Sequence, residues 1–318
     1  MAKTRIYYCC DIHGSDVCFR KALNVAKYSV YNEDLVLISG DLTGKLIVPI
    51  IQQNGVFQAT FLGTNLTFKS EDELKNIEKR IADAGYYFYV AESEEIEEIK
   101  NNHDKFLELF SKLVVERMQN WMQLAEERLS GTKIKCFIMP GNDDDPRINP
   151  ILENAKFVTN PDSKLISIDD YHEMISMGVT NPTPWHTHGE FSEEELGNKI
   201  EGMMANVRNV KNLIFNFHCP PYDSGLDLCP KLDENLQPVT IGGNVVMEPA
   251  GSIAIREAIE KYQPKLGLFG HIHESAGETY IGRTLCLNPG SEYSEGILRG
   301  YVVDIDRERI LRYFRTEG

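Results

Sequence analysis

The feature that most constrains the fold of this chain is a short apolar segment that recurs five times and each time runs into polar residues. The five segments cover residues 5–10, 34–39, 134–139, 212–217 and 265–269. An apolar run of this length, bounded by turn residues, is typical of a buried β-strand. Because ligands bind at the carboxyl ends of the strands in open α/β sheets, we expect the five polar ends to meet at one edge.

The residues at these ends carry carboxylate, imidazole and amide groups. They are Asp11-Ile12-His13, Gly40-Asp41, Gly141-Asn142-Asp143, His218 and Gly270-His271-Ile272-His273. Divalent transition metals bind such nitrogen and oxygen atoms. Side chains two residues apart lie on the same side of an extended segment, so Asp11 and His13 can reach one ion. His271 and His273 could do the same or could divide between two ions. Each pair alone could be an ordinary polar turn, but the series predicts a metal site.

The segments between these strands predict an α/β fold. Residues 15–28 have the pattern of a helix with Ser15 as its N-cap, which gives a strand-helix-strand unit at the start of the chain. After residue 45 the alternation is interrupted, and we interpret residues 46–131 as an α-rich insertion within a single domain, 1–318. Asn54-Gly55 predicts a hairpin there, and a long amphipathic helix is expected over 106–129. The insertion is expected to be peripheral or to cap the site.

Composition excludes several classes of function. A formal net charge of −15 argues against binding of duplex nucleic acid, which requires basic surface. No apolar run approaches the length of a membrane span, and the first strand begins too close to Met1 to leave room for a secretory signal. The seven cysteines are an odd number, several of them in strand-like runs, and are interpreted as reduced core residues. These observations predict a cytoplasmic protein.

The five polar motifs, in this order, resemble those of the calcineurin-like metallophosphoesterases, and they cover the chain from residue 11 to residue 273. Among the branches of that family, the resemblance is greatest to bacterial and archaeal phosphoesterases of uncertain substrate. It implies a four-layer α/β/β/α sandwich of two mixed sheets. It also implies two divalent metal ions: manganese is the first expectation, with iron, zinc, nickel and magnesium as alternatives.

The resemblance also implies which residues bind the metals. One ion would be bound by Asp11, His13, Asp41 and His273, and the other by Asp41, Asn142, His218 and His271, so that Asp41 bridges them. Such a centre activates a bridging hydroxide as the nucleophile and neutralises charge on a phosphate.

One residue departs from the family pattern. The family has Gly-Asn-His, whose histidine is considered the general acid, whereas this chain has Asp143 after Asn142. A carboxylate beside two cations is expected to have a depressed pKa and to donate protons poorly. His186 and His188, in a proline-rich loop with Trp185, are the candidate replacements, although a surface or structural role is the more common one for such histidines. Alternatively, the leaving group needs little help.

We therefore expect a metal-dependent phosphohydrolase, more specifically a phosphodiesterase, acting on a small phosphoester. The preference for diesters comes from family branches that lack the histidine. The alternatives are a non-catalytic scaffold of the same fold that binds proteins, a phosphomonoesterase, and a nuclease. Trp185, Tyr222 or Tyr293 could stack on a base. No duplex nucleic acid or membrane partner is expected, and a homo-oligomer is compatible with the sequence.

Overall fold

A computed structural model describes residues 3–318 of the chain. Met1 and Ala2, which belong to the segment where no secretory signal is expected, lie outside the described residues. The helices are α1 (Asp16–Tyr28), α2 (Glu71–Asp83), α3 (Ser93–Asn101), α4 (His103–Leu129), α5 (Asn149–Glu153), α6 (Glu193–Met204) and α7 (Ile253–Tyr262). Within residues 3–318, none of the helices combines the length and apolar character that crossing a membrane requires.

The strands are numbered in chain order. They are β1 (Lys3–Cys9), β2 (Leu35–Ser39), β3 (Ile47–Gln53), β4 (Val56–Phe61), β5 (Thr64–Phe68), β6 (Tyr87–Ala91), β7 (Lys135–Met139), β8 (Val158–Thr159), β9 (Leu165–Ser167), β10 (Glu173–Met177), β11 (Leu213–Phe217), β12 (Leu228–Pro230), β13 (Thr240–Ile241), β14 (Asn244–Val245), β15 (Met247–Pro249), β16 (Leu266–Leu268), β17 (Gly277–Ile281), β18 (Thr284–Asn288), β19 (Arg299–Asp306) and β20 (Ile310–Glu317).

Two six-stranded mixed sheets form the centre of the molecule. The first has the order β20-β19-β1-β2-β7-β8 and the second the order β17-β18-β16-β11-β10-β9. In the first sheet β1, β2, β7 and β8 are parallel, and in the second β10, β11, β16 and β18 are parallel. All five apolar segments predicted as strands are therefore parallel neighbours in one sheet or the other.

The side chains of β1 show how the layers are built. Ile6 and Tyr8 point into an apolar core that also contains residues of the second sheet, such as Ile214 and Leu266. The intervening Tyr7, on the opposite face, packs in the core beneath α1 and α4. A corresponding core lies between the second sheet and the helices α6 and α7. This two-residue alternation produces four layers, α/β/β/α, and confirms the predicted fold class.

The insertion contains more β-structure than its sequence suggests. The predicted hairpin is present, with Asn54 and Gly55 at positive φ between β3 and β4. Strands β5 and β6 extend it to a four-stranded sheet of order β5-β4-β3-β6, on which α2 packs through Leu74, Ile77 and Ile81. Strand β6 joins by parallel pairing with β3, a contact between segments far apart in the sequence.

Helix α4, at the end of the insertion, belongs to the main body of the molecule. Its side chains Val114, Met118 and Trp121 lie in the core that covers the outer face of the first sheet. The Trp121 ring stacks on Phe19 of α1 with ring centroids 4.2 Å apart. The interval 46–131 therefore combines a separate small sheet with an outer helix of the sandwich. The apolar stripe of α4 indicates that one face is buried, but not which sheet covers it.

Candidate metal centre

The candidate site lies in the loops at the carboxyl ends of the parallel strands, where the backbone is held in an unusual conformation. Asp11, His13, Asp41 and His271 have φ values of 52°, 36°, 48° and 64°. Non-glycine residues rarely adopt positive φ, and such conformations cost on the order of 1–3 kcal/mol each. Hydrogen bonds between the loops hold them there, for example from His13 N to Asp41 O (2.9 Å). Four of the predicted ligands are thus fixed by the backbone.

Glycines allow the ligand side chains to approach the neighbouring loops closely. A Cβ atom on Gly40 would lie 1.9 Å from the imidazole of His218, and one on Gly141 would lie 2.2 Å from Asp41 Oδ1. No larger residue fits at either position without displacing a ligand. The Gly-Asp and Gly-Asn pairs of the sequence therefore have a steric origin.

The structure brings the predicted carboxylates and imidazoles into two adjoining groups. The first consists of Asp11, His13 and His273, and the second of Asp41, His218 and His271. A further potential group, His13, Asp41 and Asp143, overlaps both. Within each group the potential ligand atoms all lie within 4.8 Å of one another.

Asp41 lies between the two groups, with one carboxylate oxygen toward each. Its Oδ2 is 3.5 Å from Nε2 of His13, and its Oδ1 is 3.3 Å from Nε2 of His218. Asp41 is therefore positioned to contact an ion in either group, which is the arrangement that the sequence resemblance implies for a bridging ligand.

Several atoms at this site have no hydrogen-bond partner within the protein although they are fully buried. Among residues 3–318 they include Asn142 Oδ1 and Nδ1 of His218. Buried polar groups normally have partners, because an unsatisfied one costs about 1–3 kcal/mol. In addition, Nε2 of His13 and Nε2 of His273 face each other at 3.0 Å. Divalent cations would satisfy these nitrogen and oxygen atoms, so the residues present fit a dinuclear metal centre.

The comparisons with known proteins agree with this architecture. No protein-family model matches the sequence. The uncharacterized protein MJ1162 of Methanocaldococcus jannaschii is 33% identical over 158 residues, which are 49% of this chain and 64% of that protein. The chain thus spans less than two thirds of the length of this relative.

Two solved structures resemble the chain over its whole length. One has a TM-score of 0.57 and 14% identity, and covers 99% of both chains. The other, TT1561 of Thermus thermophilus, has a TM-score of 0.52 and 12% identity, and covers 100% of this chain and 99% of its own. At these identities the likeness concerns the fold. This chain therefore shares the fold of these two structures.

Electrostatics at the site keep both central carboxylates ionised. Burial alone would raise the pKa of Asp11, but a hydrogen bond with His273 and the charge of His218 outweigh it, and the pKa is lowered. Burial also acts to raise the pKa of Asp41, and the charge of His218 again outweighs it, so that this pKa falls well below its usual value. Ionised carboxylates are the form that binds a metal.

The histidines of the site differ in charge. Burial lowers the pKa of His13 to about 3 and that of His271 to about 4, so both imidazoles are neutral. Burial also opposes the charged form of His218, but the carboxylate of Asp41 outweighs it and raises the pKa of His218 to about 9. Since only neutral imidazole binds a metal, binding at His218 would release its proton.

Asp143 lies at the edge of the site and forms an ion pair with Lys45. The Lys45 Nζ atom is 2.7 Å from Asp143 Oδ2, and Asp143 N donates a hydrogen bond to Asp41 Oδ1 (3.2 Å). The pKa of Asp143 is raised, first by burial and then by the charge of Asp41, and the charge of Lys45 opposes this. The sequence predicts a depressed pKa for Asp143 on the assumption that two cations lie beside it. The neighbouring protein groups alone shift this pKa in the opposite direction.

His186 and His188 are exposed, and neither belongs to the groups of potential metal-binding atoms found in residues 3–318. The residue between them does reach the site. Thr187 Oγ1 accepts a hydrogen bond from Asn142 Nδ2 (2.8 Å), and Gly189 N donates to Asn142 O (2.9 Å). The threonine hydroxyl thus orients the Asn142 amide, with its nitrogen toward the loop and its oxygen available to an ion.

Sequence reasoning missed two residues that build the site. Asp144 is buried and accepts hydrogen bonds from the backbone of Leu42, Thr43 and Gly141, so it joins the loops of two ligands. Lys45 was not singled out either. The run of three aspartates at 143–145 was a visible signal, but it does not reveal which carboxylate turns toward the core.

Proposed function

We propose that this chain is a metal-dependent phosphohydrolase that cleaves small phosphodiesters. The observation that carries the proposal is the position of Asp41, which lies between two groups of ligand atoms and points one oxygen at each. Asp11, His13 and His273 would hold one ion with Asp41. Asn142, His218 and His271 would hold the other with Asp41.

Two divalent ions in this set, manganese first among the candidates, would supply a nucleophile at neutral pH and neutralise charge on the phosphate. The chain itself contributes positioning. The unpartnered Oδ1 of Asn142 is a neutral ligand, held in orientation by Thr187, and adds no negative charge that would weaken the Lewis acidity of the ions.

The Asp143 carboxylate favours a diester over a monoester, and the charge of Lys45 offsets part of this preference. The second ionisation of a phosphate has a pKa of about 6, so a monoester carries close to two negative charges at neutral pH, whereas a diester carries one. The Asp143 carboxylate repels the more highly charged substrate more strongly. In its ion pair with Lys45, Asp143 is a hydrogen-bond acceptor and is not positioned as a proton donor to a leaving alcohol.

The test is hydrolysis by manganese-loaded protein of an aryl phosphodiester and an aryl phosphomonoester, with wild type and Asp41→Asn compared and bound metal quantified. The proposal predicts cleavage of the diester by wild type and loss of this activity in Asp41→Asn. If wild type leaves the diester intact, or if Asp41→Asn cleaves it equally fast, the proposal is wrong. The scaffold alternative instead predicts a protein that binds no metal at stoichiometric supply.

A further inference from the structure

Trp185 is an exposed aromatic residue close to the candidate metal centre. Its side chain belongs to the loop Asn181–Glu190, and 63% of the residue is exposed to solvent. Aromatic residues bury large apolar areas in cores and at interfaces, so an exposed tryptophan leaves much apolar surface in water. Exposure alone does not indicate a binding site, but the loop is also ordered and is attached to the candidate metal centre.

The first is that the loop holds Trp185 in an ordered conformation. The carboxylate of Glu190 accepts hydrogen bonds from both the backbone N and the hydroxyl of Thr183, at 3.0 and 2.6 Å. It accepts the same pair from Thr187, at 2.7 and 2.9 Å. Trp185 N in turn donates to Thr183 Oγ1 (3.2 Å). The loop therefore closes around one carboxylate and presents Trp185 at its tip.

The second observation is that the loop is attached to the site. Thr187 contacts the Asn142 amide at 2.8 Å. Two residues of extended chain span at most about 7 Å, so the backbone of Trp185 lies within about that distance of Thr187. The loop that carries Trp185 is therefore within reach of the organic group of a phosphoester whose phosphate lies at the metal ligands.

A neighbouring loop carries a second exposed aromatic residue. The Asn181 side chain donates hydrogen bonds to the carbonyl oxygens of Ala250 and Gly251, and Tyr222 N donates to Ser252 O (3.0 Å). Tyr222, which is 39% exposed, thus extends from a loop that adjoins the base of the Trp185 loop.

Tyr293 is engaged differently. Its ring packs against the His13 imidazole, with ring centroids 4.7 Å apart, so it supports a ligand instead of presenting a free face.

We propose that the loop Asn181–Glu190 is a preformed platform that binds the aromatic group of a phosphoester, a nucleobase or an aryl ring, by stacking on Trp185. The position of the phosphate in this proposal rests on the proposed function, whereas the stacking itself does not require turnover. Every nucleobase has a π-face, so the platform would select for an aromatic group without reading a sequence. Order in the loop before binding lowers the entropic cost of that contact.

The test compares two probes that share a phosphate and a ribose and differ in the base: adenosine 5′-monophosphate and ribose 5-phosphate. Their affinities for the manganese-loaded protein are measured by calorimetry, for wild type, Trp185→Ala and Trp185→Phe. If the base stacks on Trp185, wild type should bind adenosine 5′-monophosphate between about 5- and 150-fold more tightly than ribose 5-phosphate. Trp185→Ala should lose this preference, with ribose 5-phosphate unaffected, and Trp185→Phe should keep most of it.

Tyr28→Ala is the matched control, because Tyr28 is also 63% exposed but lies at the end of α1. It should bind both probes as wild type does. Equal affinity of wild type for the two probes, or an equal loss of both in Trp185→Ala, would overturn the platform. Because binding is measured without hydrolysis, a base preference in a protein that cleaves no diester would contradict the proposed function and leave the platform standing.

Discussion

The two ends of the sandwich both contain buried charged residues, but they satisfy them in different ways. At the amino ends of the parallel strands, Arg5, Lys265 and His172 each have an opposite or complementary partner. At the carboxyl ends, carboxylates and imidazoles face one another and some of their atoms have no partner.

The amino end shows how buried charge is stabilised by pairing. Arg5 on β1 contacts Asp304 on β19 through Nε and a second guanidinium nitrogen, at 2.5 and 2.8 Å. Burial alone would raise the pKa of Asp304, but hydrogen bonds from Arg5 and Arg312 outweigh it and hold the pKa below its usual value. Nearby, Lys265 Nζ donates to Asp306 O (2.6 Å), and His172 Nδ1 lies 2.8 Å from Asp169 Oδ2.

The difference shows which buried charges serve structure and which serve chemistry. Arg5 and Asp304 satisfy each other, as do His172 and Asp169, so the fold accounts for these groups. The carboxyl-end groups are left with unpartnered atoms and positive-φ backbone, which the fold alone does not explain. Substitution at the carboxyl end should therefore weaken metal binding, whereas substitution at the amino end should lower the stability of the protein.

The largest effect is expected for Asp41→Asn. Because Asp41 contributes to both ligand groups, the variant should bind less metal and cleave an aryl diester more than about a hundredfold more slowly, beyond the 10- to 100-fold typical of residues that only support a ligand. Metal analysis after gel filtration and initial rates measure the two losses. Asp170→Asn, at an exposed carboxylate, is the matched control and should behave as wild type.

Asp304→Asn tests the amino end and should lower the free energy of unfolding by about 3–5 kcal/mol. The substitution leaves the buried Arg5 guanidinium without its carboxylate, which is costly in a low-dielectric interior. Denaturant titration measures the loss, and bound metal should stay at the wild-type level. Lys156→Gln, which breaks an exposed pair with Glu126, should change stability by less than about 1 kcal/mol.

The same pair gives the sign of a pH effect on stability. Because the pKa of Asp304 is lower in the folded than in the unfolded protein, its contribution is complete above about pH 4 and is lost as the pH falls further. Wild type should therefore lose more stability than Asp304→Asn between about pH 4 and pH 2. Parallel curves for the two proteins would show that the pair does not contribute as described.

Asp143→His should increase phosphomonoesterase activity about a hundredfold, because general acid catalysis typically contributes 10²- to 10⁴-fold. Rates with an aryl monoester and an aryl diester give the ratio of the two activities. Asp143→Asn is the control, since it removes the same negative charge without adding a proton donor. A gain of equal size in Asp143→Asn would show that charge repulsion, and not the absent acid, limits monoester cleavage.

The smallest effect is expected for Thr187→Val, which removes the hydroxyl that orients Asn142. Loss of a group that positions a ligand typically weakens metal binding 10- to 100-fold, and we expect about tenfold here. Calorimetric titration with Mn²⁺ measures it. Thr187→Ser, which keeps the hydroxyl, should restore wild-type affinity. A valine variant with unchanged affinity would mean that the amide of Asn142 needs no support.

The sequence predicted the parts of this molecule that have a local signal. Apolar strands followed by ligand residues are contiguous patterns, and the glycines before Asp41 and Asn142 mark the close contacts found there. The parts it missed depend on contacts distant in sequence. The pairing of β6 with β3, the ion pair of Lys45 with Asp143, and the closure of the Trp185 loop on Glu190 have no periodicity that a single segment displays.

The most direct test of the central claim is diffraction at the manganese absorption edge from crystals of the wild-type protein grown with Mn²⁺. The account predicts two anomalous peaks, one among Asp11, His13 and His273 and the other among Asp41, His218 and His271, with Asp41 in contact with both. No peak at these residues, or a single peak that Asp41 does not contact, would contradict it.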